Sequence, residues 1–290
     1  MSPGASPVAR AGRQAGAWLA HMAPAAAGGT LVVGLVLAAV LAPWLAAADP
    51  TDGDIAARLL PPGQGHPLGT DPLGRDLFAR LLYGGRQSLG AAGAVAAITL
   101  GLGLTVGTVA GYFGGWVDGL LMRLADLIRA FPGRILGLVL VGVVGPGPSG
   151  LVLAMAAVSW VPQARLVRGL TLSLREQEYV LAARVSGLSA LAIVLRHIVP
   201  GVLPHVAVVA ALDMSWFLMS ISSLSLLGLG VQPPTPEWGM MVNEARPYFR
   251  THPHLLFWPS LAIMLAVLGF TLLGEGLRDA WDPQRRGAQH

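Results

Sequence analysis

Residues 88–112 have the sequence SLGAAGAVAAITLGLGLTVGTVAGY, which contains no charged side chain. A helix needs about 20 consecutive apolar residues to cross the hydrocarbon core of a bilayer, and this run is longer. Its many alanine and glycine residues favour close contact between helices. The stretch is therefore predicted to be a transmembrane helix that faces protein more than lipid.

The composition of the whole chain agrees with this reading. Of 290 residues, 54% are hydrophobic and 12% are charged, and the mean hydropathy is +0.62. Soluble domains carry about 25% charged residues. Further apolar runs predict an all-α membrane protein with about six spans; these runs are 28–48, a third span bent at Phe131-Pro132 and ending near residue 145, a fourth ending near residue 162, 205–229 and 256–277.

The arginines predict the orientation of these spans. With six spans and both termini in the cytoplasm, thirteen of the 19 basic residues, all of them arginine, lie on the inner side. This distribution satisfies the positive-inside rule. The predicted division of the chain is a cytoplasmic tail at 1–27, a first span at 28–48, an extracytoplasmic loop at 49–87, a membrane core at 88–283 with a long cytoplasmic loop at 163–204, and a second tail at 284–290.

Two absent residue types exclude several functions. The chain has no cysteine and no lysine, so it has no disulfide and no thiolate ligand, and it lacks the lysine of a Walker A phosphate loop. Transport driven by ATP would therefore need a partner ATPase. The basic pI of about 10.3 is explained by arginines in cytoplasmic loops, and no nucleic-acid partner is expected.

Residues 178–200, EYVLAARVSGLSALAIVLRHIVP, form the most informative segment. The segment resembles the EAA loop of ABC-importer permeases, although Leu181 stands where that family has glutamate. The resemblance implies two short cytoplasmic helices that dock in a cleft of the ATPase subunit. A helix lying on the membrane surface is the alternative. The candidate coupling residues are Glu178, Ala182, Ala183, Arg184, Gly187, Ile198 and Pro200.

Two further blocks narrow the resemblance: 66–76, HPLGTDPLGRD, and 224–239, LSLLGLGVQPPTPEWG. They are similar to signatures of the second permease subunit in the di/oligopeptide and nickel family, and Asp213 and Phe257-Trp258-Pro259 resemble its nickel branch. The resemblance implies the type I ABC-importer permease fold in a bacterial inner membrane. It also implies a homologous second permease subunit, two ATPases that carry ATP and Mg, an extracytoplasmic binding protein, and no cofactor bound by this chain.

The same outer blocks supply candidates for a gate or scaffold. Arg75 lies between Asp71 and Asp76, which predicts a small ion-pair lock in the outer loop. Glycines and prolines end the fifth span and force an extended exit. Direct contact of these residues with substrate is the alternative to a structural role. The remaining candidates in this group are Gly228, Gly230, Glu237 and Trp238.

Asp213, with Met214 and Trp216 beside it, lies in an otherwise apolar span. Ionisable groups at membrane depth usually face a cavity or a partner. These three residues are therefore candidates for the translocation path, and an ion pair of Asp213 with Arg168 or Arg196 is the structural alternative. His252 and His254 are weak metal candidates in the outer loop, and no metal site is assigned.

The function predicted from these features is that of a permease subunit in an ATP-driven importer of nickel, free or chelated, or of di/oligopeptides, working by alternating access. A secondary transporter driven by an ion gradient is one alternative, but it needs internal repeats and several intramembrane charges. An intramembrane enzyme is the other, and no Ser/His/Asp set or HExxH motif is present.

Overall fold

The computed structural model describes residues 7–63 and 65–281, with side chains from residue 23 onward except Arg134 and Trp281. Its helices are α1 (Pro7–Val40), α2 (Ala42–Leu45), α3 (Leu77–Phe113), α4 (Gly115–Arg129), α5 (Gly133–Val144), α6 (Pro148–Arg175), α7 (Glu178–Val185), α8 (Ala190–Ile193), α9 (Val199–Leu226), α10 (Trp238–Ala245) and α11 (His254–Trp281). A π-helical segment, Val194–Ile198, joins α8 to α9.

Five helices in the described chain are long and apolar enough to cross a membrane: α1, α3, α6, the continuous α8–α9 rod and α11. The expectation of an all-α membrane protein is confirmed. The third predicted span is instead divided at residues 130–132, where Pro132 interrupts the helix because proline lacks the N–H that helix continuation needs. The 12 residues of α5 reach only about 18 Å, less than the ~30 Å core.

The relative directions of α3 and α6 show what the divided third span does. Three glycines of α3 pack against successive positions of α6 in the same order along the chain, so these two helices are parallel: Gly103 meets Gln163, Gly107 meets Val167, and Gly111 meets Thr171. Two parallel spans require a return crossing between them. The pair α4 and α5 therefore forms this return limb, so the described part of the chain runs along the bundle six times, with the third run broken.

The remaining spans alternate in direction. Helix α9 runs antiparallel to α6, since Gly201 packs on Leu174 and Asp213 bonds Gln163. Helix α11 is antiparallel to α9, and α1 is antiparallel to α11; the contacts are Leu212 with Gly274, Ser215 with Thr271, Ala25 with Gly276, and Leu31 with Gly269. Both ends of the described chain therefore lie on one side of the bundle, the side that carries the arginine-rich loop.

Several helices do not begin or end at the boundaries predicted for the spans. Helix α3 begins at Leu77 and not at residue 88, because the Asp76 side chain caps it by accepting the N–H of Ala79 at 2.7 Å. Helix α1 begins at Pro7, inside the predicted tail, and ends at Val40 before the predicted end of the first span. The predictions for residues 1–6 and 282–290 lie outside the described residues.

Candidate coupling and translocation sites

Helix α7 ends in a turn that only glycine fits well. Gly187 has φ of +80°, the left-handed region that costs L-residues about 1–2 kcal/mol. The N–H of Leu188 donates to the carbonyl of Ala183 at 3.2 Å, and the N–H of Gly187 donates to that of Arg184 at 3.1 Å. These two bonds are the Schellman ending of a helix. The predicted turn between two short helices is therefore present at Gly187.

One face of α7 is buried against the bundle. Val180 and Ala183 pack with Val167, Ile193 and Ile198 in a cluster at the inner end of α6 and α9. The Arg184 guanidinium lies over the ring of Tyr112, 5.8 Å from its centroid. This packing places one face of α7 on protein. A buried face of this kind fixes the orientation of the other face.

The opposite face of α7 is exposed. Glu178 and Ala182 lie on it, and the side chain of Val185 is 88% exposed. The docking role of this surface stays a prediction.

The second predicted coupling helix is not separate from the fifth span. Helix α8 passes through the π-helical segment Val194–Ile198 directly into α9, where Pro200 occupies the first turn. Single π-helical turns are frequent at functional sites. Helix α8 is therefore continuous with α9, the helix that carries Asp213.

Asp213 is bonded to a residue that the sequence analysis did not select. Its Oδ2 accepts a hydrogen bond from Nε2 of Gln163 at 2.5 Å. The predicted alternative, an ion pair with Arg168 or Arg196, is wrong for Arg168, whose guanidinium donates twice to Asp118 at 2.5 Å. No ion pair between Asp213 and Arg196 occurs in the described part of the chain.

A cavity of about 470 Å³ opens beside Asp213 between α4, α5, α6 and α9. Trp216 lines this cavity and is 41% exposed, whereas Met214 packs against the main hydrophobic core. Two of the three candidates from the sequence thus lie at one cavity. Three further polar residues line the cavity: Ser159, Gln163 and Arg129. The sequence analysis did not select them, because each lies alone in the sequence and belongs to no motif.

The outer loop contains half of the predicted ion-pair lock. Nε of Arg75 donates to Oδ2 of Asp71 at 2.6 Å, as expected. The predicted contact of Arg75 with Asp76 is wrong. Asp76 instead accepts from its own helix and lies 2.9 Å from Nδ1 of His66, because a helix N-terminus attracts a carboxylate.

A larger charge cluster surrounds Arg75 and was not predicted. Arg80, which is 1% exposed, donates from Nη2 to Oε2 of Glu244 at 2.6 Å. Its Nε lies 3.4 Å from Oδ2 of Asp71, and Arg75 reaches Glu244 at 3.3 Å. The cluster joins α3 to α10, and Arg80 and Glu244 are separated by 164 residues in the sequence. No local sequence pattern predicts an ion pair between residues so far apart along the chain.

Glu237 and Trp238 fix the start of α10 against α3. The Glu237 side chain is fully buried and accepts from the N–H groups of Gly239 and Met240 and from the hydroxyl of Ser88, at 2.8–3.0 Å. Nε1 of Trp238 donates to the carbonyl of Leu81 at 2.9 Å. These contacts favour the scaffold interpretation of the outer block.

The other outer candidates are backbone features. Gly228 has φ of +80° just after α9, and a Cβ at Gly230 would lie 2.6 Å from Cβ of Ser225. The ring centroids of His252 and His254 lie 6.0 Å apart. Among the described residues no group of three potential ligands is close enough to hold a metal ion.

Replacing Glu237 by alanine is expected to destabilise the protein by about 2–5 kcal/mol, because it leaves buried donors without an acceptor and removes a helix cap. Glu237→Gln keeps one acceptor oxygen and is expected to cost less. Thermal unfolding of the purified chain in detergent measures both variants. Equal, small shifts for the two would contradict the capping role.

The geometry of the described residues is that of a membrane-spanning bundle, with a cavity that carries a few polar side chains between its helices and a helix pair at one end. Residues 103–287 match the family described as "Binding-protein-dependent transport system inner membrane component". The chain belongs to this family. It is an inner-membrane permease subunit of an ABC importer that works with ATPase and binding-protein partners, and it is not an enzyme, which confirms these predictions.

Its relatives include permeases of a nickel and of a glutathione transport system. The chain is 44% identical to the nickel transport system permease protein NikC of Escherichia coli strain K12 over 86% of this chain and 90% of that protein. It is 45% identical to the glutathione transport system permease protein GsiD of Pectobacterium atrosepticum over 77% of this chain and 74% of that protein. A GsiD of Escherichia coli strain 536 is 44% identical over 92% of this chain and 88% of that protein.

Proposed function

We propose that this chain pairs with a homologous second permease subunit and two ATPase subunits, and that it imports nickel, free or chelated, or di/oligopeptides delivered by an extracytoplasmic binding protein. ATP and Mg bind to the ATPase subunits, and this chain binds neither. The coupling segment, residues 178–200, receives the movement of the ATPases. The cavity beside Asp213 forms part of the translocation path.

One observation carries this proposal: α7 is held on its buried face and free on its other face, while α8 continues into α9. A helix that docked loosely would absorb the movement of a partner, but Val180 and Ala183 anchor α7 in a buried cluster. Closure of the ATPases would therefore displace α8 and α9 as one rod. Rigid-body movement of packed helices is a common mechanism of such transitions.

The cargo is proposed from the relatives and from the cavity together. NikC is named for nickel and GsiD for glutathione, a peptide, and the identities to the two are nearly equal. A permease for either cargo needs a polar passage that lipid does not reach. The cavity beside Asp213 supplies polar side chains for such a passage.

Reconstitution tests the proposal. The chain is co-purified with candidate ATPases, the second permease and the binding protein, and placed in proteoliposomes. Uptake is expected only with ATP and loaded binding protein, and ATP hydrolysis is expected to rise with loaded binding protein. Uptake by the chain alone, driven by an ion gradient without ATP, would instead support a secondary transporter.

A further inference from the structure

The cavity beside Asp213 presents charges of opposite sign on different walls. Asp213 stands on α9, and Arg129 stands at the end of α4. No ion pair joins them in the described part of the chain, so neither charge neutralises the other. The volume of about 470 Å³ falls within the ~300–1,000 Å³ of small-molecule sites.

The wall around Asp213 has unused acceptors. A carboxylate offers about four acceptor positions, and Gln163 uses one on Oδ2. Because the amide nitrogen of Gln163 faces this carboxylate, its Oε1 points away, and that atom is buried without a partner. Ser159 Oγ is likewise buried and unpaired. Unpaired acceptors in a low-dielectric region favour a ligand that donates hydrogen bonds.

The wall formed by the end of α4 favours an anion. The guanidinium of Arg129 is always charged and matches the geometry of a carboxylate. The rest of the lining is largely aromatic and apolar, with Phe131, Trp216 and Phe217. Walls of this type accept side chains of different shapes with little selectivity.

We propose that this cavity binds a zwitterionic ligand, a small peptide with its free ammonium group at Asp213 and its free carboxylate at Arg129. The inference rests on the proposed importer function and selects the peptide from the two cargoes proposed above. A hydrated divalent cation is attracted by Asp213 and repelled by Arg129, so the two charges oppose each other for that ligand. Nickel also prefers imidazole ligands, and the described lining contains no histidine.

Uptake of four probes tests the assignment in proteoliposomes that contain the complete importer. The probes are dialanine, N-acetyl-dialanine, dialanine amide and aqueous Ni²⁺. For Asp213→Asn we expect dialanine uptake to fall about tenfold or more, because a charge-assisted hydrogen bond is lost. N-acetyl-dialanine, which has no ammonium group, should change little in that variant.

The matching variant on the other wall is Arg129→Gln. It should reduce dialanine uptake by a similar factor and leave dialanine amide nearly unchanged. The binding protein is the same in every experiment, so its own preferences cancel when each probe is compared between variant and unmodified importer. Asp126→Asn is the control, since Asp126 makes an exposed ion pair with Arg165, and such pairs contribute little.

The pattern of selectivity decides the outcome. A purely structural defect lowers uptake of dialanine and of its blocked forms by the same factor, and this result would overturn the assignment. Unchanged dialanine uptake in Asp213→Asn would overturn it as well. Aqueous Ni²⁺ uptake that requires Asp213 but not Arg129 would show a metal path instead.

A binding measurement separates this inference from the importer function. Trp216 lines the cavity, so dialanine should change a fluorescence signal that is absent in Trp216→Phe and lost in Asp213→Asn. This signal needs no ATP. If uptake fails while the signal persists, the proposed function is contradicted and the peptide site stands; uptake of dialanine without the Trp216 signal would contradict the site alone.

Discussion

The variant Gly187→Trp is expected to abolish assembly with the ATPase while the chain itself stays folded in the membrane. Gly187 is exposed and has no neighbouring atom within 4 Å of a built Cβ, so the indole ring has room on this chain. The same ring would project from the turn between α7 and α8, where the ATPase is proposed to dock. Co-purification of the ATPase with the tagged chain measures the effect.

The control is Gly187→Ala. Both substitutions place an L-residue at φ of +80° and carry the same backbone cost of about 1–2 kcal/mol, but only tryptophan adds bulk. We expect the alanine variant to keep most of its ATPase. Equal loss in the two variants would mean that the Schellman turn matters and the docking surface does not, and normal assembly of the tryptophan variant would exclude docking at this turn.

Gly107→Leu is expected to prevent stable folding of the bundle. A Cβ at Gly107 would lie 2.7 Å from Cβ of Val167 on α6, closer than real contacts allow. The larger side chain must push α3 and α6 apart, and overpacking of this kind costs about 1–3 kcal/mol at one site, with further loss when a long interface opens. Monodispersity after detergent extraction and the thermal unfolding temperature measure the result.

Gly101→Leu is the matched control, on the same helix less than two turns away. A Cβ at Gly101 meets no atom within 4 Å, and the residue is exposed. We expect wild-type extraction and stability for this variant. If Gly101→Leu and Gly107→Leu behaved alike, close packing of α3 on α6 would not explain the glycines of α3.

The pair Gly101 and Gly107 also shows what sequence could not decide. Both glycines occupy the same apolar run, and the sequence predicts a closely packed helix without saying which of them is buried. Which glycine of α3 is buried depends on where α6 packs against α3. The position of α6 in turn depends on the return limb that is broken at Pro132. The parallel order of α3 and α6 requires that limb, although only five helices of the described chain are long enough to span a membrane.

The polar site was predictable in part. Asp213 was conspicuous because a carboxylate in an apolar run has an evident desolvation cost. Its partner Gln163 was not conspicuous, since a glutamine near the end of a predicted span reads as an ordinary helix-end residue. The ion pair of Arg80 and Glu244 was not predictable either. In the sequence each looks like an ordinary charged residue of a loop or membrane interface, and only the fold brings their side chains to 2.6 Å.

By itself, the sequence determined the all-α membrane class and the lack of a Walker A lysine, and it predicted the orientation and the coupling segment, because each of these depends on local composition or on a contiguous motif. Only the tertiary structure decided the broken third span, the pairing of Asp213 with Gln163, and the capture of α10 by Arg80 and Ser88. These features join residues that are distant in sequence. Short-range periodicity reports which face of a helix is apolar, whereas the partner of a polar group depends on how whole helices pack.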